Sequence, residues 1–313
     1  MTNSQIVLVV VLLLLKLAVV RWFIWYATWK KHAVRFTESG YTPPLAGWFS
    51  SFTMYMASRL LTFLTVGRVT VIRSPAIPSK GRVIYAANHQ LPCDFAMVRQ
   101  ASGRHMRMLT ASSQLGGFFG VISAWFGVIS IAFKSKSDGA AAEEACVKAV
   151  AEKDGCLGIF PQGALLPDNV LNQCEFRPGA VRIAQKAAAL SGEEVFIVPV
   201  AIHYERNPAK AGWTHRFLKK ARSNFLGMRD PRYYDPIFKT DLSTLSDAER
   251  AEVEAAQKEA VRKYKRSHVT NYGGVVVAGH PIPVSTLPAE PLEAIEVIRQ
   301  HIAAQLEVAK LNS

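Results

Sequence analysis

RVIYAANHQLPCD, residues 82–94, joins two kinds of pattern. The apolar, β-branched run 82–87 has the character of a buried strand. It passes into the polar turn Asn88-His89-Gln90, and Leu91-Pro92-Cys93-Asp94 then opens a helical pattern, with Pro92 suited to a first helical position. The unit predicts strand, loop and helix, with His89 and Asp94 at the junction. The same alternation repeats outward from it. Apolar runs at 106–110, 127–133, 156–160, 196–202 and 274–278 read as strands, and 140–153, 179–190 and 290–308 as helices. Alternation of this kind predicts an α/β fold: a mixed, mostly parallel sheet flanked by helices.

His89 and Asp94 are five residues apart, about 500° of turn on a regular helix, so one continuous helix would point them apart. They meet only if His89 lies on the loop and Asp94 in the first helical turn. A carboxylate that takes the imidazole Nδ1–H fixes the tautomer and leaves Nε2 as a base. The spacing alone is a weak signal, because any His and Asp can fall five apart. Cys93, beside them, reads as a packing residue rather than a nucleophile.

The chain has 313 residues, half of them hydrophobic, and a formal net charge of +13. That excludes a disordered chain, a collagen-like repeat and a disulfide-stapled mini-domain. Its four cysteines, Cys93, Cys146, Cys156 and Cys174, show no CxxC or Cys/His metal spacing, so a reduced protein without structural zinc is expected. Neither GxGxxG nor GxxxxGK[ST] occurs, which leaves dinucleotide and P-loop functions poorly supported. Residues 1–80 carry a charge of +8, 81–202 carry +1, 203–268 carry +6 and 269–313 carry −2. A near-neutral middle is thus flanked by two basic pieces.

The first basic piece meets membrane. Residues 6–20, IVLVVVLLLLKLAVV, would make a helix of roughly 22 Å, short of a ~30 Å hydrocarbon core. Extended to Ala27 the run is long enough but carries Lys16 and Arg21. Trp22, Phe23, Trp25, Tyr26 and Trp29, followed by Lys30, Lys31 and Arg35, read as an interfacial belt with a cytosolic positive flank. MTNSQ has no positive n-region, which disfavours a cleaved signal peptide. A second stretch, 48–66, holds three serines and Arg59; it reads as an amphipathic or re-entrant helix, or else as a core helix. Residues 1–66 are therefore expected to form a membrane-anchoring segment, as one transmembrane span or a re-entrant pair. Residues 206–232 contain eight Lys/Arg and one acid, interleaved with Trp213, Phe217, Phe225, Tyr233 and their neighbours. With no nucleic-acid recognition fold beside it, this pattern favours anionic lipid headgroups. Ser246-x-x-Glu249 is a capping box that starts a charged helix.

Four ordered blocks resemble those of the glycerolipid acyltransferases, the superfamily of lysophosphatidate and glycerol-3-phosphate acyltransferases. Asn88-His89…Asp94 resembles NHxxxxD. Residues 127–134, GVISIAFK, resemble a G-x-I-x-I strand that an arginine usually ends. Phe160-Pro161-Gln162-Gly163 resembles FPEG, with Phe176-Arg177-Pro178-Gly179-Ala180 as its downstream basic element. Residues 197–201, IVPVA, resemble the fourth block, and Gly279-His280-Pro281-Ile282 the element that ends the last strand. The likeness covers roughly 80–202 and 272–310. It implies an acyltransferase domain over 67–202 and 269–313, interrupted by a basic insertion, 203–268, that serves as a membrane-surface or lid element.

The resemblance implies O-acyl transfer in phospholipid biosynthesis, from acyl-CoA or acyl-carrier protein to a lysophospholipid hydroxyl, with 1-acylglycerol-3-phosphate as acceptor and phosphatidate as product. His89 would be the general base and Asp94 its orienting partner, without an acyl-enzyme. Asn88, Lys134, Phe160, Pro161, Gln162, Gly163 and Arg177 would bind substrate, and backbone N–H groups around 160–163 would serve the oxyanion. No metal and no cofactor beyond the acyl donor is implied. The expected place is a membrane, with the active site on its cytoplasmic face. Three departures bear on the acceptor. Leu165 stands where FPEGTR has Arg, and Gln162 where it has Glu; Phe133 also stands where an arginine is expected, with Lys134 one residue late. A glycolipid or aminolipid acceptor, or a catalytically silent lipid-binding homologue, stays open beside the first reading.

Overall fold

The computed structural model describes residues 3–45, 47–132, 135–163, 165, 171, 176–218, 232, 235–238, 240–266 and 270–313. The chain divides into two compact units, residues 1–51 with 107–146, and 52–106 with 147–313. This division differs from the expected boundary at residue 66. Residues 107–146, read from sequence as part of the catalytic domain, cluster with the N-terminal segment.

In the first unit α1 (Asn3–Ala33) is one continuous helix of 31 residues, where the sequence left a span or a re-entrant pair open. Its aromatic end is not all belt. Trp25 packs edge-on against Trp125, with ring centroids 5.3 Å apart, and against Phe118, both on the short helix Gly117–Trp125. Strands Arg107–Ala111 and Ile129–Ile131 pair in parallel, and Arg107 Nη1 donates to the carbonyls of Pro43 and Gly127. Among the described residues no helix is long and apolar enough to cross a membrane, so the expected transmembrane helix is not carried further. Lys16 is exposed within α1 and Arg21 follows one turn on; each would cost about 2.5–3.5 kcal/mol at a bilayer centre.

The second unit holds the sheet that builds the site. Its strands are Val69–Arg73, Arg82–Ala87, Cys156–Ile159, Val195–Glu205, Gly273–Ala278 and Ile282–Pro283. Arg82–Ala87 lies between Cys156–Ile159 and Val195–Glu205, parallel to both. Gly273–Ala278 runs antiparallel to Val195–Glu205 and parallel to Val69–Arg73. The sheet is mixed and mostly parallel, as expected. Val69–Arg73 is a strand the sequence reading missed.

Strand Arg82–Ala87 is buried at every position, which is why it reads as a continuous apolar run and not an alternating one. Helix Pro291–Leu311 covers Val195–Glu205 and Gly273–Ala278 through Ala294, Ile295, Ile298, Ile302, Leu306 and Ala309, at the three-to-four spacing of a single helix face. Burying each of the larger ones contributes about 1.5–3 kcal/mol. Helix Asp94–Ser102 buries Ala96, Met97, Val98 and Ala101, and ends at Gly103 with φ +64, a left-handed cap suited to glycine. The capping box forms as expected: Glu249 Oε2 accepts from the Ser246 N–H at 2.9 Å and from its hydroxyl, at the start of helix Asp247–Arg266.

α2 (Trp48–Thr65) has an inverted pattern. Met54, Ser58, Thr62 and Thr65 are buried, while Phe52, Met56, Leu60 and Phe63 form an exposed stripe. The inward threonine hydroxyls are satisfied within the protein: Thr62 Oγ1 donates to Ser58 O, Thr65 Oγ1 to Leu61 O, and Gln100 Nε2 donates to Thr62 Oγ1. A helix packed on a water-soluble core shows the opposite arrangement.

Candidate active site

Because Arg82–Ala87 and Cys156–Ile159 are parallel neighbours, the loops that follow them leave the sheet at the same edge. One loop carries Asn88 and His89, the other Phe160–Gly163. Val195–Glu205, on the other side, pairs Val200 with Ala87 and runs on to Glu205, so Ile202 and Tyr204 continue past the end of the central strand. Three chain segments thus meet beyond one strand.

Asn88 ties two of them. Its Nδ2 donates to Ile202 O at 2.9 Å, its Oδ1 accepts from Ile202 N at 2.7 Å, and the residue is fully buried. The sequence allowed it to hold the loop or to position the acceptor; its geometry is that of a loop holder. Gln90 Nε2 adds a third bond, to Ile202 O at 2.6 Å.

His89 and Asp94 meet as their spacing requires. Residues 91–93 form a turn and the helix begins at Asp94, so Pro92 sits ahead of the first helical position and not at it. Asp94 Oδ2 lies 2.8 Å from His89 Nδ1 and also accepts from the backbone N–H groups of Gln90 and Leu91, at 2.5 and 2.9 Å. A carboxylate facing these donors only accepts, so Nδ1 carries a proton, and in the neutral imidazole Nε2 then presents a lone pair. His89 is partly exposed whereas Asp94 is fully buried, so the imidazole reaches outward while the carboxylate stays dry. The other oxygen, Oδ1, accepts a short hydrogen bond from the Tyr204 hydroxyl. Tyr204 escaped the sequence reading; the available signal was its position, two residues beyond Ile202 and on the same face of the strand.

The second loop closes on His89. Phe160 stacks on the imidazole with centroids 3.9 Å apart and rings 10° from parallel. Gln162 Oε1 accepts from the His89 N–H at 2.6 Å. Pro161 and Gln162 are buried. The Gly163 N–H donates to Phe160 O at 3.0 Å and closes the turn, so this N–H is committed and does not fill the oxyanion role expected of the loop. Gly163 has φ +61, and a Cβ there would lie 2.9 Å from the Arg177 guanidinium. The left-handed φ favours glycine, while the guanidinium, at the end of a flexible side chain, could shift aside. Arg177, anchored by its N–H to Pro161 O at 2.8 Å, therefore brings an exposed cation against the Phe160–Gly163 turn. Leu165 is half-buried. Lys134 lies outside the described residues, as does Phe133.

Cys93 is fully buried beside this pair. Burial, with the Asp94 charge adjacent, pushes its thiol up to about 12. A thiol held protonated is no nucleophile, in line with the packing role expected for it.

A base oriented by a buried carboxylate at the C-terminal edge of a mostly parallel sheet can deprotonate a hydroxyl. Residues 68–203 match the family model for acyltransferases. That span is an acyltransferase domain. The matched span contains His89, Asp94, Phe160–Gly163, Arg177 and Ile202, all the acyltransferase blocks read from sequence except the last strand's. Among solved structures, the 1-acyl-sn-glycerophosphate (LPA) acyltransferase PlsC from Thermotoga maritima is similar to this chain at 15% identity, over 83% of this chain and 80% of that one, with a TM-score of 0.49. Among curated proteins, none matches the sequence. The protein is an acyltransferase enzyme.

Proposed function

We propose that this acyltransferase moves a fatty acyl group from acyl-CoA or acyl-carrier protein to the hydroxyl of 1-acylglycerol-3-phosphate, giving phosphatidate. The His89 Nδ1–Asp94 Oδ2 bond of 2.8 Å carries the reading. It orients Nε2 to take the acceptor's proton as the oxygen attacks the thioester carbonyl, and the buried Asp94 charge stabilises the imidazolium that forms. The thiol leaves with that proton, and neither an acyl-enzyme nor a metal enters the scheme. Arg177, beside the Phe160–Gly163 turn, supplies a cation for the acceptor or donor phosphate.

A second acceptor is favoured by one observation. Leu165 offers no charge-assisted hydrogen bond where the family pattern has Arg, so a less anionic hydroxylated lipid fits the same chemistry. Thiol release from acyl-CoA by the purified protein separates the two. Under the first reading lysophosphatidate supports His89-dependent release. Silence with lysophosphatidate, together with His89-dependent release in a total lipid extract, moves the assignment to the second. In that case Leu165→Arg should raise kcat/KM for lysophosphatidate roughly tenfold, as one charge-assisted bond would.

The reading places the enzyme on a membrane surface. Its support is the inverted pattern of α2, whose Phe52, Met56, Leu60 and Phe63 are exposed, joined by the exposed pair Trp213 and Phe217 beside exposed Arg216. Serine at Phe52, Leu60 and Phe63 together should weaken co-sedimentation with anionic vesicles at least ~tenfold. Undiminished binding would remove α2 from the membrane contact.

A further inference from the structure

The two oxygens of Asp94 are held from different directions. Oδ2 accepts from three donors on its own loop, His89, Gln90 and Leu91. Oδ1 accepts from Tyr204, which reaches it across 110 residues of sequence. Both residues are almost wholly buried, Asp94 at 0% and Tyr204 at 2% exposure. Water therefore does not replace the phenol, and a buried carboxylate oxygen without a donor is costly.

The polarity of this contact is set. A carboxylate only accepts, so the phenol proton points at Oδ1. The Tyr204 oxygen then keeps a lone pair for the Cys93 thiol, whose sulfur lies 3.7 Å away. Burial raises both groups, the thiol to about 12 and the phenol well above its ordinary value, so each remains a donor at neutral pH. The groups bonded to Asp94 are thus one imidazole, one phenol and two backbone amides, with the Cys93 thiol against the phenol oxygen.

The carboxylate's oxygens are chemically equivalent, and amides at Oδ2 alone would leave its plane free to turn. A donor at Oδ1 removes that freedom. Phenylalanine would supply the same ring, so packing of the ring does not account for the hydroxyl. We propose that Tyr204 is a positioning residue of the acyl transfer: by holding Oδ1 it presents Oδ2 to His89 and keeps the base aimed at the acceptor. The inference rests on His89 being the base.

Tyr204→Phe in the full-length protein tests it. The expected result is a roughly tenfold fall in kcat, the scale of one hydrogen bond to a charged group, with KM unchanged. The low-field proton resonance of the His89–Asp94 bond, assigned by its loss in His89→Ala, should move or broaden in the same variant. Wild-type turnover would overturn the proposal, and so would reduced turnover with that resonance at its wild-type position, since a merely structural role would leave it there. Should Tyr204→Phe fail to fold, the wild-type chain grown with 3-fluorotyrosine carries the test: its more acidic phenol should displace the resonance, and an undisplaced resonance refutes the proposal. Activity surviving in His89→Ala would instead overturn the base assignment, so the two failures are distinct.

Discussion

Replacing His89 with alanine is expected to lower acyl-transfer turnover at least ~100-fold, the usual contribution of a positioned general base. The side chain is partly exposed, so its loss opens no large cavity, while Phe160 loses only a stacking partner. The backbone N–H of residue 89 still donates to Gln162, which keeps the two loops together. The fold should therefore survive, and the thermal midpoint should stay near that of the unaltered protein while thiol release falls. Turnover within tenfold of wild type, in a folded variant, would refute the assigned role and favour a lipid-binding function for the domain.

Asp94→Asn is the second large effect, again ~100-fold or more in kcat with little change in KM. The substitution preserves shape. The Gln90 and Leu91 N–H groups select the amide oxygen for the Oδ2 position, so the His89 Nδ1–H keeps an acceptor there. What disappears is the charge that stabilises the imidazolium as the acceptor's proton arrives. The amide NH₂ also faces the Tyr204 oxygen, which must then accept where it had donated. Steady-state kinetics on the folded variant check this, and unchanged kcat would mean that orientation alone suffices.

Much of this site was legible before any coordinate. The five-residue spacing required a loop histidine and a helical aspartate, and the chain folds that way because the helix begins at Asp94. The strands around the site were legible because burial on both faces leaves unbroken apolar runs. Val69–Arg73 was not, since its Val71 is exposed and arginines stand at residues 68 and 73. Tyr204 was not legible as a partner of Asp94, because sequence order carries no distance between residues 110 apart. The clustering of 107–146 with the N-terminal segment depends on packing such as Trp25 on Trp125, which no local pattern encodes.

The tethers of His89 have a consequence for how this enzyme comes into being. Its backbone is fastened to Gln162, 73 residues away, and its partner Asp94 to Tyr204, 110 residues away. A nascent chain that stops short of Val195–Glu205 lacks the second tether, and contacts this distant in sequence form late, after their loop-closure entropy has been met. Activity should therefore act as a reporter of sheet closure during refolding, silent through collapse and helix formation and recovered only with the slowest phase in which the central strands find both neighbours.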